Sequence, residues 1–157
     1  MVRMIRAMNP AQEVFAMLGE PILQVCLIYA ALFLFLTALL ACLRTVAVTR
    51  GVREANSFTP DGTCGNPLLQ RLTRARNNYF ENAGSLALIV LVAFALGRLD
   101  VLSGAAFVFL GARILQTTVH LISTTNHAVV LRAMCYFLQV AIQIYWVVQL
   151  FTLNPVV

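Results

Sequence analysis

Residues 22–43 run without one charged side chain. Wound as an α-helix at about 1.5 Å per residue, that run reaches about 33 Å, enough to cross a hydrocarbon core about 30 Å thick. Inside lipid no water is present to satisfy backbone groups, so such a run is helical or it is not in the membrane. Three further apolar stretches follow, at residues 80–96, 101–122 and 128–153. The first of these is short, and its helix is expected to begin earlier, where Asn66 before Pro67 suits an N-cap followed by the first helical position. The chain of 157 residues is 61% hydrophobic and 11% charged, with a mean hydropathy of +0.84. That balance excludes an ordinary soluble domain. The expectation is an all-α integral membrane protein, an up-down bundle of four transmembrane helices at about 22–43, 67–96, 101–122 and 128–153. These form one domain covering residues 1–157.

The connections sharpen the topology. Only residues 51–67 are rich in turn signals, with Pro60-Asp61-Gly62 and Gly65-Asn66-Pro67. The other two links are short, so consecutive helices are antiparallel neighbours. All basic residues are arginine. Arg44, Arg50, Arg53, Arg71, Arg74 and Arg76 crowd the first connection, whereas the second offers Arg98 beside Asp100. The positive-inside rule places loop 44–66 in the cytoplasm and both termini outside. Residues 1–20 lack a continuous apolar core, so the first span reads as a retained helix and not a cleaved leader. The net charge of +5 does not form an aromatic-interleaved basic face, and no nucleic-acid partner is read from it. Four cysteines show no CxxC and no zinc spacing. Cys26, Cys42 and Cys135 read as small buried hydrophobes, and Cys64 as a thiol of the cytoplasmic loop.

Polar residues then stand out against the apolar background. At about 100° per residue, Arg71, Arg74, Asn78, Glu81 and Asn82 share an arc of about 100° on the second helix. On the third, Arg113, Gln116, Thr117 and His120 do the same, and on the fourth Arg132, Tyr136, Gln139 and Gln143 share about 60°. A charge at the centre of a membrane helix costs about 2.5 to 3.5 kcal/mol on translocon scales, so such residues face a protein interior or a watery cavity. All three stripes lie toward the cytoplasmic ends of their helices, near the arginine-rich loop. Five arginines there, Arg71, Arg74, Arg76, Arg113 and Arg132, meet one acid, Glu81. Glu81 is expected to neutralise Arg113 or Arg74 as a buried pair, and the surplus guanidinium groups call for an anionic ligand, whose carboxylates match the arginine fork. The bland alternative is that hydrogen-bonding side chains merely join helices in lipid. His120 and His127 have no third metal ligand spaced with them, so no metal site is read. Tyr136, one turn from Arg132, reads either as a donor to an anion or as an interfacial aromatic.

Arg71-Leu-Thr-Arg74-Ala75-Arg76-Asn77-Asn78-Tyr-Phe-Glu81, with Gly111-Ala-Arg113 through His120-Leu121 and with Arg132 followed by Tyr136, resembles the MAPEG family, the membrane-associated proteins in eicosanoid and glutathione metabolism. The resemblance covers residues 22–150. It implies a homotrimer of four-helix protomers that binds glutathione as co-substrate between subunits. Arg53 resembles the family arginine that reaches the tripeptide. Arg74, Asn78 and Glu81 sit at signature positions that line or brace the site, and Arg113 matches the arginine that pairs with the signature glutamate. Gln116 and His120 fall where relatives hold His and Tyr, Asn77 where many hold a further basic residue, and Ala133 where one branch holds a hydroxyl. Arg132 and Tyr136 match positions near the thiol, with Arg132 as the cation that stabilises the thiolate. The implied activity is a glutathione transferase or peroxidase acting on lipophilic electrophiles or lipid hydroperoxides. The competing reading is a non-catalytic membrane protein whose basic cavity holds anionic lipid or partner helices. A transporter fits less well, because repeats and broken helices are missing.

Overall fold

The computed structural model describes residues 19–60 and 66–153. The leader reading at residues 1–18, the Asp61-Gly62 turn, Gly65 and Cys64 lie outside the described residues. Four helices make up the described fold: α1 at Pro21–Thr49, α2 at Pro67–Ala95, α3 at Asp100–Ile122 and α4 at Asn126–Leu153. A single 3-10 turn, Ala55–Ser57, follows α1. All four helices are long and apolar enough to cross a membrane.

Each boundary has a local cause. Asn66 accepts a hydrogen bond from the Leu69 backbone N–H at 2.8 Å, and Pro67 opens α2 with a fixed φ and no orphan donor. The α1 helix overruns its apolar stretch by more than a turn, because its backbone bonds continue into the polar boundary. It stops at Gly51, whose φ of +67° turns the chain left-handed. Gly51 N–H then bonds Val48 O at 2.9 Å and Val52 N–H bonds Ala47 O at 3.0 Å, the two bonds of a Schellman cap. The same cap closes α2 at Gly97, with φ +66°, Gly97 N–H to Phe94 O at 3.0 Å and Arg98 N–H to Ala93 O at 2.8 Å.

The helices form a rhombus in section. α2 and α3 touch across the short diagonal, α1 packs on both, α4 packs on both, and α1 does not meet α4. The longest contact runs between α3 and α4. An aromatic column joins all four elements: Tyr29 of α1 lies 4.3 Å from Tyr79 of α2 and 6.4 Å from Phe109 of α3, which lies 5.6 Å from Trp146 of α4. Lipid tails are as apolar as leucine, so burial alone drives little of this association. Interlocking rings and interhelical hydrogen bonds carry more of it, including Tyr29 Oη donating to Tyr79 O at 2.7 Å.

One expectation about the cysteines fails. Cys135 is buried and Cys26 half-buried, but Cys42 is exposed on α1. It lies toward the end of α1, on the side turned away from α2 and α3.

Candidate functional site

Arg113 is wholly buried in the middle of the bundle. Its Nη1 donates to Asn78 Oδ1 at 2.9 Å and to the Asn78 carbonyl at 3.5 Å. Its guanidinium carbon stands 5.2 Å from the Tyr79 ring centre and 5.6 Å from that of Tyr29. Two aromatic faces and an amide thus hold a cation that an acid was expected to hold. Such stacking supplies about 2 kcal/mol or more where water is excluded. Nε and Nη2 of Arg113 have no hydrogen-bond partner among the described residues.

The buried Glu81 pair is therefore corrected. Glu81 is exposed, and the sole ion pair among the described residues is Arg98–Asp100 at 3.3 Å on the surface. The reason is helical phase. The buried positions of α2 are Leu69, Leu72, Thr73, Ala75, Tyr79, Asn82, Leu86 and Ala93. Most of them centre on one direction, and Glu81 points more than about 100° from it at 100° per residue. Arg74 is exposed on the same outward side. The polar stripe on α2 is consequently split: Asn78 and Asn82 turn inward, Arg74 and Glu81 outward.

The remaining stripes meet in pairs. Gln116 is buried and its Oε1 accepts from Gln139 Nε2 at 3.0 Å, while the same Nε2 also donates to Cys135 O at 2.8 Å. His120 and Arg132 are half-buried, with Arg132 Nη1 2.9 Å from His120 Nδ1. An arginine has only donors, so Nδ1 accepts, and the ring is the neutral tautomer with its proton on Nε2. Arg132 Nε donates to Ala128 O at 3.3 Å, and Nη2 makes no hydrogen bond among the described residues.

Other expected residues stand at the margin. Tyr136 is exposed, with its ring edge-on to Phe137 at 5.9 Å. Arg53 is half-buried in the turn after α1 and makes no hydrogen bond to the group among the described residues. Asn77 Nδ2 reaches the loop, donating to Pro60 O at 3.1 Å. Arg71 donates to Ile122 O at 3.4 Å, tying α2 to the end of α3. Tyr29 was missed by sequence reasoning, which drew nothing from the first span beyond its length. The available signal was its hydroxyl, placed mid-span where a polar tip needs a partner.

The charges present have a definite chemical capacity. Arg132 is aimed by two acceptors and, among the described residues, keeps Nη2 without a hydrogen bond and has no carboxylate paired to it, beside a neutral imidazole. Such an arrangement takes up an anion and favours the ionised form of an acidic group placed against it. A family model described as MAPEG family matches residues 22–152. No curated protein and no solved structure matches the chain.

Proposed function

The chain belongs to the MAPEG family, and from that premise we propose that it is a glutathione-dependent membrane transferase or peroxidase. Arg132 carries the reading, being oriented by neutral His120 and Ala128 O with Nη2 left over. A guanidinium next to the glutathione thiol stabilises the thiolate and lowers its pKa. The thiolate then attacks an electrophilic carbon and expels its leaving group, or attacks the terminal oxygen of a hydroperoxide, forming an S–O bond as the O–O bond breaks and the alcohol leaves with a proton from water. A second glutathione then converts the sulfenic acid to the disulfide and releases water. Apolar substrates would enter from the bilayer, and the polar tripeptide from the water at the cytoplasmic end.

Arg53, Arg74, Asn78, Glu81, Arg113, Gln116, His120 and Tyr136 are proposed as the surrounding binding set. Arg74 and Glu81 face out of the protomer, Arg74 at the boundary beside Thr73 and Glu81 about two turns further along α2, where contact with lipid is costly. A second protomer covering them removes that cost, which supports the homotrimer with the site between subunits. Loop 44–66 and the site are read as cytoplasmic, with both termini external.

The test is a glutathione titration of the full chain in detergent, with the ultraviolet thiolate band and calorimetry followed together. The expected result is saturable binding with a thiolate signal that Arg132→Ala abolishes while some binding remains. No binding at millimolar glutathione, with phospholipid retained instead, rejects the proposal in favour of a non-catalytic lipid-binding protein.

A further inference from the structure

Beyond this site, the end of α1 holds a second cation that the proposed activity does not use. Arg44 is the first charge after the apolar run of residues 22–43. The α1 helix has 29 residues, about 43 Å at 1.5 Å per residue, against a core of about 30 Å. Its last turns therefore stand at headgroup level, and Arg44 marks the boundary. An arginine there ordinarily snorkels outward into water. Arg44 instead is folded against the protein and half-buried. Its Nη2 donates to Thr73 Oγ1 at 3.3 Å, the Phe58 ring lies 5.3 Å from its guanidinium carbon, and its Nε is buried without a hydrogen-bond partner among the described residues. No carboxylate pairs with it among the described residues.

A cavity of about 500 Å³ opens beside it, lined by Ala41, Arg44, Thr45, Val48, Thr49 and the 3-10 turn through Ala55 and Phe58. Toward the membrane interior the outward face of α1 continues with Thr37 and Leu34, both exposed. We infer that this pocket binds the headgroup phosphate of an anionic phospholipid, with one acyl chain laid along that face. Charge complementarity selects the occupant: a fixed guanidinium with no acid paired to it among the described residues, flanked by threonine hydroxyls, at the depth where phosphates lie. Zwitterionic lipids bring their own cation and compete poorly for it. The pocket shares no residue with the Arg132 group, so either assignment fails without the other.

The experiment is native mass spectrometry of the full chain taken from phosphatidylcholine nanodiscs with and without phosphatidylglycerol. The wild type is expected to retain phosphatidylglycerol. Arg44→Gln lowers that retention about tenfold, the worth of one charge-assisted hydrogen bond, while Arg50→Gln, at the C-cap of the same helix but outside the pocket, does not. Ala41→Phe, at an exposed position, fills the cavity and lowers retention with the charge intact. It decides the matter if Arg44→Gln does not fold. Unchanged retention in Arg44→Gln, or in Ala41→Phe, overturns the inference. Equal loss in Arg50→Gln overturns it in favour of diffuse attraction to a basic loop. Displacement of the lipid by inorganic phosphate overturns it in favour of a free-anion site.

Discussion

Arg113 shows how a buried charge is held without a counter-charge. Asn78 supplies its one short hydrogen bond, and Tyr29 and Tyr79 supply polarisable walls. Removing the acceptor leaves the cation in place with less to satisfy it. Asn78→Ala is expected to destabilise the protein by about 1.5 to 3 kcal/mol, the range for a hydrogen bond to a charged group. Adding Arg113→Met to that variant should recover part of the loss, since a buried charge lacking its partner is worse than an apolar replacement. Thermal unfolding in detergent, followed by circular dichroism, measures both. Equal stability of the single variant and the wild type would mean that the rings alone suffice. Arg113 was legible in the sequence as a buried cation, but its partners were not. Glu81 and Asn78 stand less than a turn apart on α2, and which of them reaches Arg113 depends on the rotation of the helix.

At the scale of elements, the boundaries were the most legible part. Asn66-Pro67 marks the start of α2 through a side-chain acceptor and a donor-free residue. Gly97 marks its end through a left-handed φ of +66° that a Cβ disfavours. Gly97→Ala is expected to cost about 1 kcal/mol, although its Cβ would meet nothing within 4 Å. The penalty would thus be purely conformational, and the same unfolding measurement would show it. No change in midpoint would mean that the cap is not formed. The end of α1 was less legible. Hydropathy falls at Leu43, yet the helix runs to Thr49, because hydropathy records the edge of the lipid and not the edge of the hydrogen bonding.

For the whole molecule, the polar stripes of α2 and α4 divide between inside and outside, whereas that of α3 stays inside. Gln116 and Gln139 pair within the protomer and Asn82 is buried in it, whereas Arg74, Glu81 and Tyr136 remain on its outside. An outward charge at membrane depth is the mark of an incomplete surface. Light scattering with detergent correction is expected to report a trimer of 17.3 kDa protomers, and Glu81→Ala to shift it toward smaller species. A monodisperse monomer would refute the shared site. What the sequence by itself determined is the four-helix membrane bundle and, through the motif from Arg71 to Glu81, the family. The bundle follows from period, length and composition, which are local properties of each segment. Only the tertiary structure decided that Asn78 holds Arg113, that Tyr29 joins it, and that His120 aims Arg132. A helical period places residues on one arc but leaves the arc's direction to packing against neighbours far away in the chain.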